Sequence, residues 1–268
     1  MESEKGMKDM KKRSFKAVLL LFVLTTLTIA LGGCSGDKKG DISSQITIGI
    51  PQDLEDSLDP HKMVTAGTRE VLFNIFEGLV KVTSDGDFVP AVASSYEETE
   101  GGKVYTFTLR DNVKFHDGST VTAEDVKFSL DKCADTSAGE PLVAAFSNID
   151  SVNILDDKTV QVVLKEADTE FLAYMTTAII PASNADPDTN PIGTGPYKFV
   201  SRSPQENFVM ERFDDYWGEP AYIKDVTLKI CANADTIVMD LEGGSIDMFA
   251  RVTSTQAAEL SDNFNVLE

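Results

Sequence analysis

Val104-Tyr105-Thr106-Phe107-Thr108-Leu109, then Val113-Lys114-Phe115-His116-Asp117-Gly118, then Thr122-Ala123-Glu124-Asp125-Val126 place an alternating strand, a tight turn and a helix start in quick succession. Alternation with period two puts Tyr105 and Phe107 on one face, which is expected to pack inward. Glu100-Gly101-Gly102 precedes the strand as a hairpin turn and makes Tyr96 to Glu98 its antiparallel partner. Val113 and Phe115 read as a short edge strand closed by the turn at Asp117-Gly118. Thr122 and Asp125 have the spacing of a capping box, with Asp in place of Glu, and open a helix. Val126, Ser129, Leu130 and Cys133 recur at helical spacing and form its inner face.

The same reading extends both ways. Upstream, Ile46, Ile48 and Ile50 alternate as a half-buried strand that Pro51 ends. A loop with Leu58-Asp59-Pro60 follows, and Val71, Leu72, Ile75 and Phe76 mark a helix closed by Gly78. Lys81 to Phe88 reads as a hairpin around Ser84-Asp85-Gly86-Asp87. Downstream, strands are expected near Ile149 to Leu155 and Thr159 to Leu164, a helix over Phe171 to Ile180, and a Pro-, Asp- and Asn-rich loop from Ala182 to Pro191. Tyr197 to Val200, Asn207 to Arg212 and Val226 to Ile230 read as strands, and Asp235 to Leu241 as a helix stopped by Gly243-Gly244. Hairpins mixed irregularly with helices, and no internal repeat, predict an α/β fold with mixed sheets more than a doubly wound parallel one.

The 268 residues are 42% hydrophobic and 25% charged, enough apolar material for a core, and the net charge of -20 makes phosphate backbones poor partners. An acidic surface serves solubility or favours cationic ligands, and charge alone does not choose between them. Lys8, Lys11, Lys12, Arg13 and Lys16 precede the apolar run Ala17 to Leu31, which is short for a membrane span and suits an export signal. Leu31-Gly32-Gly33-Cys34 resembles the lipobox of bacterial lipoproteins, so residues 1–33 are expected to be a signal peptide and Cys34 the lipidated residue. The polar stretch 34–45 reads as a flexible tether. An uncleaved anchor is the alternative; either way the rest lies outside the cytoplasm. Cys133 and Cys231, on separate elements, are expected to be two buried thiols and not a disulfide.

Several segments, in order, resemble the peptide, dipeptide and nickel group of extracellular solute-binding proteins that serve ABC importers, family 5. They are Ser57-Leu58-Asp59-Pro60-His61-Lys62, Ile75-Phe76-Glu77-Gly78-Leu79-Val80, the 105–126 stretch, Pro191-Ile192-Gly193-Thr194-Gly195-Pro196-Tyr197, Asp214-Asp215-Tyr216-Trp217-Gly218 and Gly244-Ser245-Ile246-Asp247. The resemblance implies lobe I of a two-lobed, periplasmic-binding-protein type II-like fold. Residues 46–78 and 149–268 would form its main subdomain and 79–148 a smaller one, with lobe II absent after Glu268. It implies a monomer without cofactor, lipid-anchored at the outer face or in the periplasm, that captures oligopeptides or dipeptides for an ABC permease. Nickel complexes, oligosaccharides or other solutes are the alternative ligands, and a structural, adhesive or signalling surface lipoprotein is the alternative class.

Within the resemblance, Val64, Thr65, Ala66 and Gly67 align with the segment whose backbone pairs with extended peptides, and the plain alternative is a loop before a helix. Thr194 corresponds to a cleft-facing position, and its plain alternative is a turn in which Gly193 and Gly195 supply unusual backbone angles. The acidic residue that pairs with a peptide's ammonium group in such proteins falls beyond this chain. His61 and His116, the only histidines, have no carboxylate or thiol at ligand spacing, so no metal site is expected. Tyr216 and Trp217 read as core and rim more than as a stacking platform. No nucleotide loop, nucleophile elbow or His-Glu-x-x-His helix is present, and Asp214-Asp215 are adjacent, so no enzyme is expected.

Overall fold

A computed structural model describes residues 44–268 except 55, 56, 138, 232, 250–252, 261–263 and 266–268. The expected signal peptide, Cys34 and nearly all of the tether lie outside the described residues.

Two sheets carry the architecture. The first has the order β11-β1-β10-β9-β8, built from β1 Gln45–Ile50, β8 Tyr197–Ser203, β9 Asn207–Arg212, β10 Asp225–Ile230 and β11 Met248–Phe249. β1, second from the edge, runs parallel to β10, with Ile46 opposite Val226 and Ile48 opposite Leu228, and parallel to β11. β9 and β8 follow antiparallel as a hairpin. The second sheet has the order β4-β5-β7-β6, all antiparallel, from β4 Ala93–Thr99, β5 Val104–Leu109, β6 Ile149–Asp156 and β7 Thr159–Leu164. A short hairpin, β2 Val80–Val82 with β3 Phe88–Pro90, lies between them in sequence. The expected subdomain boundary at residue 149 therefore falls at the start of a strand in this sheet, which draws residues to Leu164 beside β4 and β5.

Helix α1, Ala66–Leu72, packs Val71 and Leu72 into a core with Ile75, Phe76, Phe208, Val226 and Leu228 of the first sheet. Helix α2, Ala123–Ala134, carries the full capping box: the Thr122 hydroxyl accepts from the Asp125 amide and the Asp125 carboxylate accepts from the Thr122 amide. Its Val126, Leu130 and Cys133 join Tyr105, Phe107 and Val162 in the second core, while Phe128 packs against the first. One helix thus seals both cores. Helix α3, Ala234–Glu242, with Asn233 capping Thr236, carries the chain from β10 across to β11, and the short helix α4, Ser254–Glu259, follows. Cys133 and Cys231 are free, buried and in different clusters.

Three local expectations change. The helix expected to close at Gly78 ends at Leu72, with Phe73 as its C-cap, and Ile75 and Phe76 are buried just beyond it. Phe171 to Ile180 is not an α-helix; Phe171–Thr176 forms a 3-10 turn and the residues after it, to Ile180, are in neither helix nor strand. Their backbone is committed elsewhere, the Ile179 amide to the Glu77 carbonyl at 2.9 Å and the Ile180 amide to the Ser129 hydroxyl at 3.0 Å. Val113 and Phe115, though buried, make no strand. The loop folds on itself through Phe115 amide to Ser119 carbonyl and a single bridge between Lys114 and Thr120.

A buried charge fixes α2 on the loop before α1. Asp59 is fully buried and holds the Lys132 ammonium at 2.8 Å and the Lys62 ammonium at 3.7 Å, and accepts from the His61 amide. Burial alone raises its pKa; the Lys132 ammonium and the His61 amide outweigh that and hold it below the usual carboxylate range. Asp59→Ala leaves the Lys132 charge without its carboxylate in a largely dry site and should cost about 3–5 kcal/mol in urea unfolding. The half-exposed α2 pair Lys127–Asp131 is the control, and Asp131→Ala should cost less than about 1 kcal/mol. Equal costs at the two positions would remove Asp59 from its role.

The 193–195 loop is clamped by His116. Its Nε2 donates to the Gly195 carbonyl at 3.0 Å and its Nδ1 accepts from the Gly193 amide at 3.3 Å, a pattern only neutral imidazole can make. Burial pushes its pKa down from 6.5 to about 4, with Lys198 assisting. The folded pKa is depressed, so the unfolded chain binds the proton first. This stability is whole above about pH 6.5 and is lost as pH falls toward 4. His116→Gln should flatten the fall in unfolding free energy between pH 7 and 4.5 by roughly 2–3 kcal/mol, read by urea titration. An unchanged slope would contradict the clamp.

Candidate functional site

Thr65 caps α1, its hydroxyl accepting from the Thr68 amide, so the chain enters the helix with Val64, Thr65 and Ala66 exposed, Val64 at 77%. A side-chain carbon at Gly67 would come 3.8 Å from the Gln52 amide nitrogen, which places this segment against the residues leaving β1 at its carboxyl end. That end of a parallel pair is where open α/β sheets offer ligands a crevice.

Beside this segment, along α1, opens a cavity of about 760 Å³. Met63, Phe73, Val82 and Leu142 line it, with Arg69 and Lys81, and Glu77 and Tyr216 lie in its wall. Phe73 is 60% exposed, Leu142 47% and Val82 44%. Three sizeable apolar side chains left in water around one concavity are a feature monomeric surfaces usually avoid unless something covers them. A second hollow of about 650 Å³ runs along α2 and β6 past Asp131, Asp135 and Asp150, and is shallower and acidic.

Glu77 organises the wall. Its carboxylate accepts from the Tyr216 hydroxyl at 2.7 Å and from the Trp217 indole at 2.6 Å, with the Lys81 ammonium at 3.5 Å. Burial raises its pKa, and the three donors pull against that rise. Trp217 is further bracketed by Lys81 and Arg110 over its ring, at 5.0 and 4.3 Å from the centroid. Tyr216 and Trp217 thus brace Glu77, and only Tyr216 also meets the cavity.

The expected site residues fall in three places. Val64, Thr65, Ala66 and Gly67 lie at the entry to α1 and do not line the cavity, whereas Met63 and Arg69 on either side of them do. Thr194 is fully buried and its hydroxyl has no hydrogen-bond partner among the described residues; Pro196, two residues on, reaches the cavity. The flanking glycines serve close approach, since a side-chain carbon at Gly193 would collide with the Ile75 carbonyl and one at Gly195 would lie 2.5 Å from the Asn74 carbonyl. No unusual backbone angle is involved. His61 borders the cavity with Nε2 on the Ala178 carbonyl at 2.8 Å, and burial, first, keeps its imidazole below the usual range. Among the described residues no cluster of His, Cys, Asp or Glu has the makings of a metal site.

Sequence reading passed over Met63, Arg69, Phe73 and Leu142. One signal was available: Phe73 is apolar but out of phase with the buried stripe of Val71, Leu72, Ile75 and Phe76, so the helix has to present it outward.

Residues 87–268 match the family described as bacterial extracellular solute-binding proteins, family 5 Middle. The oligopeptide-binding protein AppA of Bacillus subtilis (strain 168) is 29% identical over 96% of this chain and 52% of its own length. The structure of AgaA from A. tumefaciens R10 in complex with agropinic acid is 31% identical, with a TM-score of 0.74 over 80% of this chain and 45% of its own. The periplasmic binding protein DppA from Helicobacter pylori, in complex with the peptide STSA, is 26% identical, with a TM-score of 0.73 over 80% of this chain and 48% of its own. The chain therefore spans about half the length of the relatives it matches. With the mixed sheets and the motif order already described, the match over residues 87–268 shows that this chain belongs to the bacterial extracellular solute-binding proteins of family 5.

Proposed function

We propose that this chain is the first lobe of a lipid-anchored solute-binding protein that captures peptides outside the cytoplasm and delivers them to an ABC permease. The observation that carries this reading is the cavity beside α1, where Phe73, Val82 and Leu142 stand exposed near the segment 64–67 at the entry to that helix. A peptide there would lie along the segment 64–67, as an added strand lies along an edge, while its side chains cover the apolar wall. Covering one such side chain contributes about 1.5–3 kcal/mol, so the gain grows steeply when a second surface closes over the ligand and removes the remaining water. Thr194, buried with no partner for its hydroxyl among the described residues, stands two residues before the cavity-lining Pro196. The leader 1–33 and the lipid on Cys34 would keep this lobe near the permease.

The 46–78 segment and the residues after Leu164 would form the main body, and the four-stranded sheet, which includes 149–164, would belong to the smaller one. No step of catalysis is assigned. Calorimetric titration of the protein at its natural length with a mixed peptide pool should show saturable heat with a negative heat-capacity change. Silence toward peptides with a response to metal chelates or saccharides would overturn the peptide reading. Cys34→Ser should shift the protein from the membrane fraction to the soluble one; retention on the membrane would contradict lipid anchoring.

A further inference from the structure

We infer that the cavity beside α1 selects solutes carrying a carboxylate next to a bulky apolar group, with Arg69 as the residue that reads the carboxylate. This rests on the reading of that cavity as the solute site, and deepens it to a ligand chemistry.

Three charged side chains line the cavity. Glu77 is saturated by Tyr216, Trp217 and Lys81. Lys81 is spent on Glu77 and on the Trp217 ring. Arg69 remains. Its guanidinium makes one marginal contact, Nη2 to the Met63 carbonyl at 3.5 Å, and has no carboxylate within ion-pairing distance among the described residues. Lys103, Arg110, Lys165 and Lys224 also lack an ion pair among the described residues, so what singles out Arg69 is its place in the cavity wall, beside exposed apolar side chains. A helix-terminal cation would serve the α1 dipole equally as lysine, but only the planar fork of arginine grips a carboxylate through two parallel hydrogen bonds.

The neighbouring wall sets the other half of the ligand. Met63 and Phe73 flank Arg69 in the same cavity, with Val82 and Leu142 lining it too. A ligand seated there therefore offers an anion to the guanidinium and an apolar body to Phe73. A purely cationic solute finds no carboxylate free to receive it in this wall, since Glu77 is already met by Tyr216, Trp217 and Lys81, which reverses what the net charge of -20 suggests for the surface as a whole.

The test uses the full chain and two matched probe pairs, 3-phenylpropionate against 3-phenylpropionamide, and a pool of apolar tripeptides against the same pool amidated at the C-terminus. Titrations followed by NMR or calorimetry should give at least tenfold tighter binding of the acids in both pairs. Arg69→Gln should abolish the difference, and Arg69→Lys should restore only part of it, with thermal melts confirming that both variants fold. Acids and amides binding alike, or an acid preference that survives Arg69→Gln, would overturn the inference and leave the peptide reading standing. Binding of 3-phenylpropionate through Arg69 with no binding by either peptide pool would support the inference and end the peptide reading. Absence of binding by every probe would overturn both.

Discussion

A carboxylate removed from water has to be met by donors, and three such carboxylates set the geometry of this protein. Asp53, leaving β1, accepts from the Gln205 amide at 2.9 Å and pairs with Arg202 at 3.2 Å. Asp59 draws in Lys132 of α2, and Glu77 draws in Tyr216 and Trp217. Each acid lies within the first turn-and-helix segment, and each partner is distant in sequence. The loop before α1, the helix itself and the turn after it are thus pinned at three points to the β8–β9 hairpin, to α2 and to the segment after β9. The cavity is the space that remains along α1 once these ties are made.

This explains both what was legible and what was not. Local rules determined the elements they govern alone: the capping box at Thr122 opened α2 as expected, and the alternation of Tyr105 and Phe107 buried both rings in a sheet. They failed where tertiary partners claimed the backbone. Ile179 and Ile180 lost helical pairing to Glu77 and Ser129, and Val113 to Phe115 closed into a loop instead of joining an edge. The strands β6 and β7 were visible, but their place beside β5 depends on pairing at long range, which periodicity does not encode. The family motifs were visible as patterns; the buried roles of Asp59 and Glu77 within them needed coordinates. Gly193 and Gly195 were recognised as special for the wrong reason, since bare room against Ile75 and Asn74 is what they provide.

The site was legible only in outline. The segment 64–67 marked the right neighbourhood, because residues after the first strand of such a sheet lead to its carboxyl end, but the lining side chains flank that segment. Phe73 and Arg69 carry no motif; their meaning comes from exposure of the one and, for the other, the lack of an ion pair among the described residues. An apolar wall whose Arg69 has no ion pair among the described residues is in keeping with membership of a solute-binding family.

The central claim is that a solute occupies the hollow along α1. The most direct measurement is a crystal structure of the natural-length protein purified with the solute it retains from its host. Electron density against Phe73 and Met63, with its polar end on the Arg69 guanidinium and the 64–67 backbone within hydrogen-bond distance, is the result this account predicts. Density lodged instead in the acidic groove between α2 and β6, with the α1 hollow filled by water alone, would contradict it.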